Sequence, residues 1–202
     1  MKATEILSAE HRVIEQVLRC LERLADQWRA GVTSDSRSVR QAIDFFRQFA
    51  DRCHHGKEEG HLFPLLEGRG LPPENGPTSV MRDEHEQGRD LLAAMTRALD
   101  RTETGDAGAG LDLANQARAY VRLMREHIRK EDSCLFPMAD KVLSGSDTEN
   151  LVRSFAQSEH DDMGTGTHER YLRLADKLAD RMGVPRTEVQ TACGHECGHG
   201  RH

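Results

Sequence analysis

The stretch His54-His55-Gly56-Lys57-Glu58-Glu59-Gly60-His61-Leu62-Phe63-Pro64 holds the residues best suited to chemistry. His54, Glu58 and His61 stand at i, i+4 and i+7, so a helix presents them on one face. A histidine and a carboxylate one turn apart are a metal-binding pair in helix bundles. The stretch occurs twice. Residues 127–137 read His-Ile-Arg-Lys-Glu-Asp-Ser-Cys-Leu-Phe-Pro, and without gaps six of eleven positions are identical, with Glu59 opposite Asp132. Two more histidines, His11 and His85, each follow a glutamate, in Glu10-His11 and Glu84-His85.

Together His11, His54, His85 and His127 supply four imidazoles, and Glu58 and Glu131 supply two carboxylates. Two carboxylates among four neutral histidines are suited to bridging two cations, and iron matches this mixture of imidazole and carboxylate. The bundle region has no matched thiolate set, which argues against an iron–sulfur cluster or a cysteine-type zinc site. A single inward histidine is ordinarily a satisfied core residue. That reading weakens for four histidines related by a repeat, because burial without metal leaves Glu58 and Glu131 desolvated with no cationic partner on their face.

The elements that position these residues are helices. Ile6, Val13, Ile14, Val17, Leu18, Leu21 and Leu24 give residues 4–29 an amphipathic face, with His11 pointing inward. The same periodicity predicts helices over 38–66, 79–101 and 111–143, separated by Gly/Pro-rich or Gly-rich breaks. Pro64 is expected to kink or tighten the end of the second helix. A last helical region spans 149–182, interrupted at Gly164-Thr165-Gly166. His11 to His54 is 43 residues and His85 to His127 is 42, so the chain is a duplicated helix pair with an offset of 73 to 74 residues. Four helices with such short connections predict an all-α, up-down-up-down four-helix bundle. The expected organisation is a bundle over 1–145, a C-terminal helical extension over 146–182, and a flexible Cys/His-rich tail over 183–202.

The 202 residues carry a formal charge of -6, which gives no reason to expect nucleic acid or an anionic membrane as partner. No apolar run is long enough to span a bilayer, and the charged N-terminal residues do not lead one to expect a secretory signal. Five scattered cysteines do not make a disulfide framework. A reducing cytoplasm is the simpler setting, with Cys20 and Cys53 as core residues.

The pattern His…His-x3-Glu…His…His-x3-Glu, with Leu-Phe-Pro after each second motif, resembles the hemerythrin-like, HHE cation-binding family over residues 4–143. The resemblance implies a non-haem di-iron centre bridged by Glu58 and Glu131. Relatives include oxygen carriers, oxygen or iron sensors, and proteins of nitric-oxide defence and iron-centre repair. The oxygen-carrier pattern has a fifth histidine one turn after the third-helix histidine, where this chain has Arg89. Four histidines leave both metals an open position, which suits redox chemistry on oxygen, peroxide or nitric oxide, whether or not the protein turns over as an enzyme. The alternative is an iron or oxygen sensor or a labile iron store. An electron donor or partner protein is left open.

Several residues flank this set. His61 shares the face of His54 and Glu58, but its counterpart is Cys134, so symmetry does not support a ligand role. His55 aligns with Ile128 and is read as a packing or entrance residue. Glu59 and Asp132 are candidates to hydrogen-bond the ligand imidazoles. Arg89 either pairs with a carboxylate or plugs the fifth-histidine position. Glu159-His160 echoes the Glu-His pair a third time and, with His168, could cap the bundle or add an outer ligand. Cys193, His195, Cys197, His199 and His202 could bind a soft or borderline metal.

Overall fold

The chain is described here from a computed structural model covering residues 2–31 and 35–187. Every regular element among these residues is helical, and none is a strand. The α-helices are α1 (Ala3–Arg29), α2 (Ser36–Phe45), α3 (Phe63–Gly68), α4 (Pro77–Glu103), α5 (Ala109–Lys130), α6 (Phe136–Val142), α7 (Gly145–Ser158) and α8 (Thr167–Met182). Between them lie π-helical segments at Phe46–His55, Glu58–Leu62, Glu131–Leu135 and Glu159–Met163. Residues 36–68 are therefore one unbroken helical run, as are residues 109–142.

Local chemistry sets the ends. Asp35 caps α2 by accepting from the Arg37 N–H, and Ser144 with Asp147 forms a capping box on α7. Pro77 opens α4, where a missing N–H costs nothing. Gly183 ends α8 in the left-handed region at φ 63°, and Val184 beyond it folds back into the core.

Two of the wide turns answer to the two Leu-Phe-Pro motifs. Pro64 and Pro137 each stand one residue beyond the start of the α-helix that follows a π-segment. Neither can donate a backbone hydrogen bond, and in an α-helical register each ring would crowd the carbonyl four residues back. Widening the preceding turn relieves this crowding, so the proline is absorbed without a break. Glu58 and Glu131 are the first residues of those two wide turns. π-helical turns often occur at functional sites.

Two apolar clusters enclose a polar layer. One contains Ile14, Leu18, Phe46, Phe49, Leu92, Tyr120 and Met124 among others. The other contains Leu7, Leu62, Phe63, Met81, Leu135 and Phe136. Along each long helical run the histidine and glutamate positions fall between residues of the two clusters. α5 packs along both α1 and α4, and α8 packs along α1 and α2. Tyr171, Ala175, Leu178 and Ala179 of α8 join the first cluster, so the C-terminal helices extend the same core. The expected change at residue 183 is not where contacts cease: Val184 is buried, and the Thr187 hydroxyl donates to the Arg12 carbonyl at 3.1 Å. Residues 188–202, with the Cys/His motif, lie outside the described residues. No helix among the described residues is long and apolar enough to cross a membrane.

Candidate metal centre

His11, His54, Glu58, His85, His127 and Glu131 are all essentially sealed from solvent and converge on one pocket. α1 brings His11, the 36–68 run brings His54 and Glu58, α4 brings His85, and the 109–142 run brings His127 and Glu131. Two groups of donors form. His11, His54, Glu58 and Glu131 have one ligand atom each within 4.8 Å of the others, and so do His55, Glu58, His85 and His127. The carboxylates span the groups. Glu58 reaches His54 Nε2 at 3.6 Å and His85 Nε2 at 3.5 Å. Glu131 reaches His11 Nε2 and His127 Nε2, each at 3.2 Å.

Behind each imidazole stands an acid. His11 Nδ1 lies 2.9 Å from Asp132, His54 Nδ1 2.9 Å from Glu10, His85 Nδ1 2.6 Å from Glu59, and His127 Nδ1 3.1 Å from Glu84. An ionised carboxylate only accepts, so each Nδ1 carries a proton, and each Nε2 is left as the atom that can offer a lone pair to an ion once any proton on it is given up. That is the metal-binding tautomer, and a carboxylate at the far nitrogen makes the ring a better donor. Lys57 in turn pairs with Glu10, and Lys130 with Glu84. The acids work crosswise: the neighbour of one ligand in sequence holds a different ligand in space.

The pocket's electrostatics fit cations. Neither oxygen of Glu58 or Glu131 has a hydrogen-bond partner, nor does His11 Nε2 or His54 Nε2. Buried polar atoms are seldom left this way, and buried carboxylates least of all. Burial and the adjacent Glu131 charge push the Glu58 carboxyl well above its usual range. Burial also acts against Glu131, but His127 and His11 outweigh it and hold that carboxyl low. Burial likewise lowers the His54 ring, to about 4. The nitrogens His85 Nε2 and His127 Nε2 face each other at 3.1 Å. Two imidazole donors about 2.1 Å from a shared ion at right angles stand about 3.0 Å apart, so this spacing suits one ion as well as the hydrogen bond the rings make without it. The donor set therefore fits bound metal cations.

Substituting the supporting acids tests this arrangement. Glu10→Gln and Glu84→Gln should each weaken metal binding about 10–100-fold with the fold retained, read by competition against a chromophoric chelator. An unchanged affinity in both would mean that the acids do not orient the rings.

Other candidates go elsewhere. His61 turns away from the pocket, and its Nε2 meets the Ser158 hydroxyl. The wide turn beginning at Glu58 explains why a count of about two turns of regular helix from His54 does not keep it on the ligand face. His160 is exposed and pairs with Asp161. Glu159 accepts from Lys57 at 3.0 Å and lies 3.2 Å from His168, beside Glu10 and Cys53. Arg89 is an ion-pair partner, bonded to Asp51 at 2.9 Å and Glu59 at 2.7 Å. Burial pushes the Cys20 thiol up to about 11 and the Cys53 thiol up to about 12, as for core residues. The reading of the repeat passes over Glu10, Glu84 and His55 as members of the site. The repeated Glu-His pairs carry the signal for the first two, and for His55 the signal is its place beside His54.

A family model described as the Hemerythrin HHE cation binding domain matches residues 2–139. Uncharacterized proteins of Mycobacterium tuberculosis and Mycobacterium bovis are 28% identical over 178 residues, covering 88% of this chain and 68% of theirs. The iron-sulfur cluster repair protein YtfE of Edwardsiella ictaluri is 32% identical over 132 residues, covering 64% of this chain and 59% of that protein. No solved structure matches significantly.

Proposed function

The chain belongs to the hemerythrin HHE cation-binding family, and from that premise we propose that it is a non-haem di-iron protein that binds or reacts with oxygen, peroxide or nitric oxide in the defence against oxidative or nitrosative stress. The observation that carries this reading is the set of four imidazoles, each fixed by a carboxylate at Nδ1 and turned with Nε2 toward two buried carboxylates whose oxygens make no hydrogen bond. His11 and His54 would hold one ion, His85 and His127 the other, and Glu58 and Glu131 would join them. Bound iron would supply a one-electron couple and a coordination position for a small ligand. The chain's own part is to fix the rings, to neutralise the ions with two acids, and to keep bulk water out with the apolar layers above and below.

In this reading residues 1–145 form an up-down-up-down bundle and residues 146–182 an extension. The alternation supports it: α1 and α4 pass from the Leu7/Met81 cluster to the Ile14/Leu92 cluster, while the 36–68 and 109–142 runs pass the other way. The likeness to a protein named for iron–sulfur cluster repair supports the link to stress. The described cysteines Cys20, Cys53 and Cys134 are free, in keeping with a cytoplasmic setting.

Metal analysis of protein isolated without added metal, with an optical spectrum before and after peroxide or nitric oxide, tests the proposal. Two irons per chain and a spectrum that changes on addition are expected. Zinc or manganese in their place, or a spectrum indifferent to both peroxide and nitric oxide, would overturn it. Metal loss and reloading without turnover would instead favour the alternative, an iron sensor or labile store.

A further inference from the structure

Glu159 lies beyond the span matched by the family domain, which ends at residue 139, yet it reaches the supports of the metal pocket. Its Oε2 accepts from the Lys57 ammonium at 3.0 Å. The same ammonium donates to Glu10 Oε1, and Glu10 Oε2 lies 2.9 Å from His54 Nδ1. A chain therefore runs Glu159–Lys57–Glu10–His54, from the wide turn after α7 to a ring of the pocket. His168 of α8 lies 3.2 Å from the remaining Glu159 oxygen.

The repeat supplies a comparison within the molecule. Lys130 pairs with Glu84, and Glu84 holds His127, as Lys57 and Glu10 do for His54. Among the described residues no second carboxylate meets Lys130, whose side chain is 37% exposed against 1% for Lys57. The C-terminal extension makes the difference. The base behind His85 is shared in the same way: Arg89 holds Glu59 and Asp51, with Glu86 at its exposed side. Each pair of rings, His11 with His54 and His85 with His127, thus has one member backed by an acid that shares its base with a second acid. At His54 that second acid comes from the extension. Donor atoms of Glu10, Cys53, Glu159 and His168 also lie within 4.8 Å of one another. Lys57 already stands between both carboxylates, so the cation of this cluster is built in.

A buried ammonium paired with Glu10 alone would draw that carboxylate's charge away from the His54 N–H. A second carboxylate on the ammonium offsets this pull, and such effects are strong where water is excluded. We propose that Glu159 is a positioning residue for the metal centre: by sharing Lys57 it leaves Glu10 its charge for His54, and so makes that ring a stronger donor to the ion it holds with His11. This rests on the di-iron reading above. The extension is then part of the support of the metal site as well as part of the core.

The test uses the full chain loaded anaerobically with ferrous iron. Glu159→Gln should release one of its two irons to a chelator about three- to tenfold faster than wild type, a smaller effect than that of Glu10→Gln because it acts through one more group. After oxidation the variant should also be easier to reduce, since a lost negative charge disfavours the ferric ion; at a fixed potential its ferric-to-ferrous ratio should fall about threefold or more. Glu159→Asp, which keeps the charge, should recover most of both changes. Arg181→Ala, which frees α8 from Ser38 and Gln41 about 20 Å along the helix from His168, loosens the extension without touching Lys57 and should leave release and potential as in wild type. Glu159→Gln indistinguishable from wild type in release and potential, or Arg181→Ala reproducing its changes, would overturn the inference while leaving the di-iron reading intact. Failure of the wild type to take up two irons would overturn both.

Discussion

Glu58→Leu and Glu131→Leu should both weaken iron binding by at least about 100-fold, yet move the stability of the metal-free protein in opposite directions. The affinity loss follows because each carboxylate reaches imidazoles of both donor groups, and removing even an acid that only supports a ligand costs about 10–100-fold. The stability split follows from what each acid meets when no metal is bound. Glu58 has no hydrogen-bond partner, and burial with Glu131 beside it drives its carboxyl toward the protonated form. Replacing such a group by a hydrocarbon of similar size stabilises by about 1–3 kcal/mol. Glu131 lies between His11 and His127. Burial disfavours the charged His127 ring, but Glu131 and Glu84 outweigh it and raise the ring to about 9. Glu131→Leu strips that buried cation of its nearest partner and should cost about 3 kcal/mol. Urea denaturation of the three metal-free proteins would read the difference. Equal stabilities would mean that the two acids are already satisfied without metal.

The second large effect is on the metal itself. Removing the ions with a strong chelator should lower the melting temperature by about 10 °C. Ligand present at a thousandfold excess over its dissociation constant stabilises the folded state by about 4 kcal/mol, and each kcal/mol shifts the midpoint of a chain this long by about 2–4 °C. With binding weakened about 100-fold, the melting point of Glu58→Leu protein should respond to chelator no more than about a third as much. A wild-type midpoint indifferent to chelator would mean that binding and folding are not linked at this pocket. Loading should also release protons, because Glu58 and the charged rings must give theirs up to bind.

Much of the helical layout was legible because it rests on local periodicity. The predicted 4–29 and 111–143 segments match Ala3–Arg29 and the 109–142 run within two residues. The six proposed ligands stood out because a duplication writes them twice. What the sequence hides is non-local or breaks the symmetry. Glu10 serves His54 and Glu84 serves His127, each more than forty residues away, and adjacency to His11 and His85 points to the wrong ring. His61 was placed on the ligand face by a regular helical count that the wide turn at Glu58–Leu62 does not obey. His55 aligns with Ile128 yet stacks on His85 in the pocket, because the two halves are free to differ at that position.

That freedom traces to the crosswise acids. Asp132 of the second half holds His11 of the first, and Glu59 of the first holds His85 of the second. Neither helix pair completes its own ring supports, so a single pair could only have worked as two identical copies about a rotation axis. In such an ancestor every change appears on both sides at once. With both halves in one polypeptide that constraint is absent, so an imidazole can stand at one position while a hydrocarbon stands at its counterpart, and a trailing segment can lean on one flank alone.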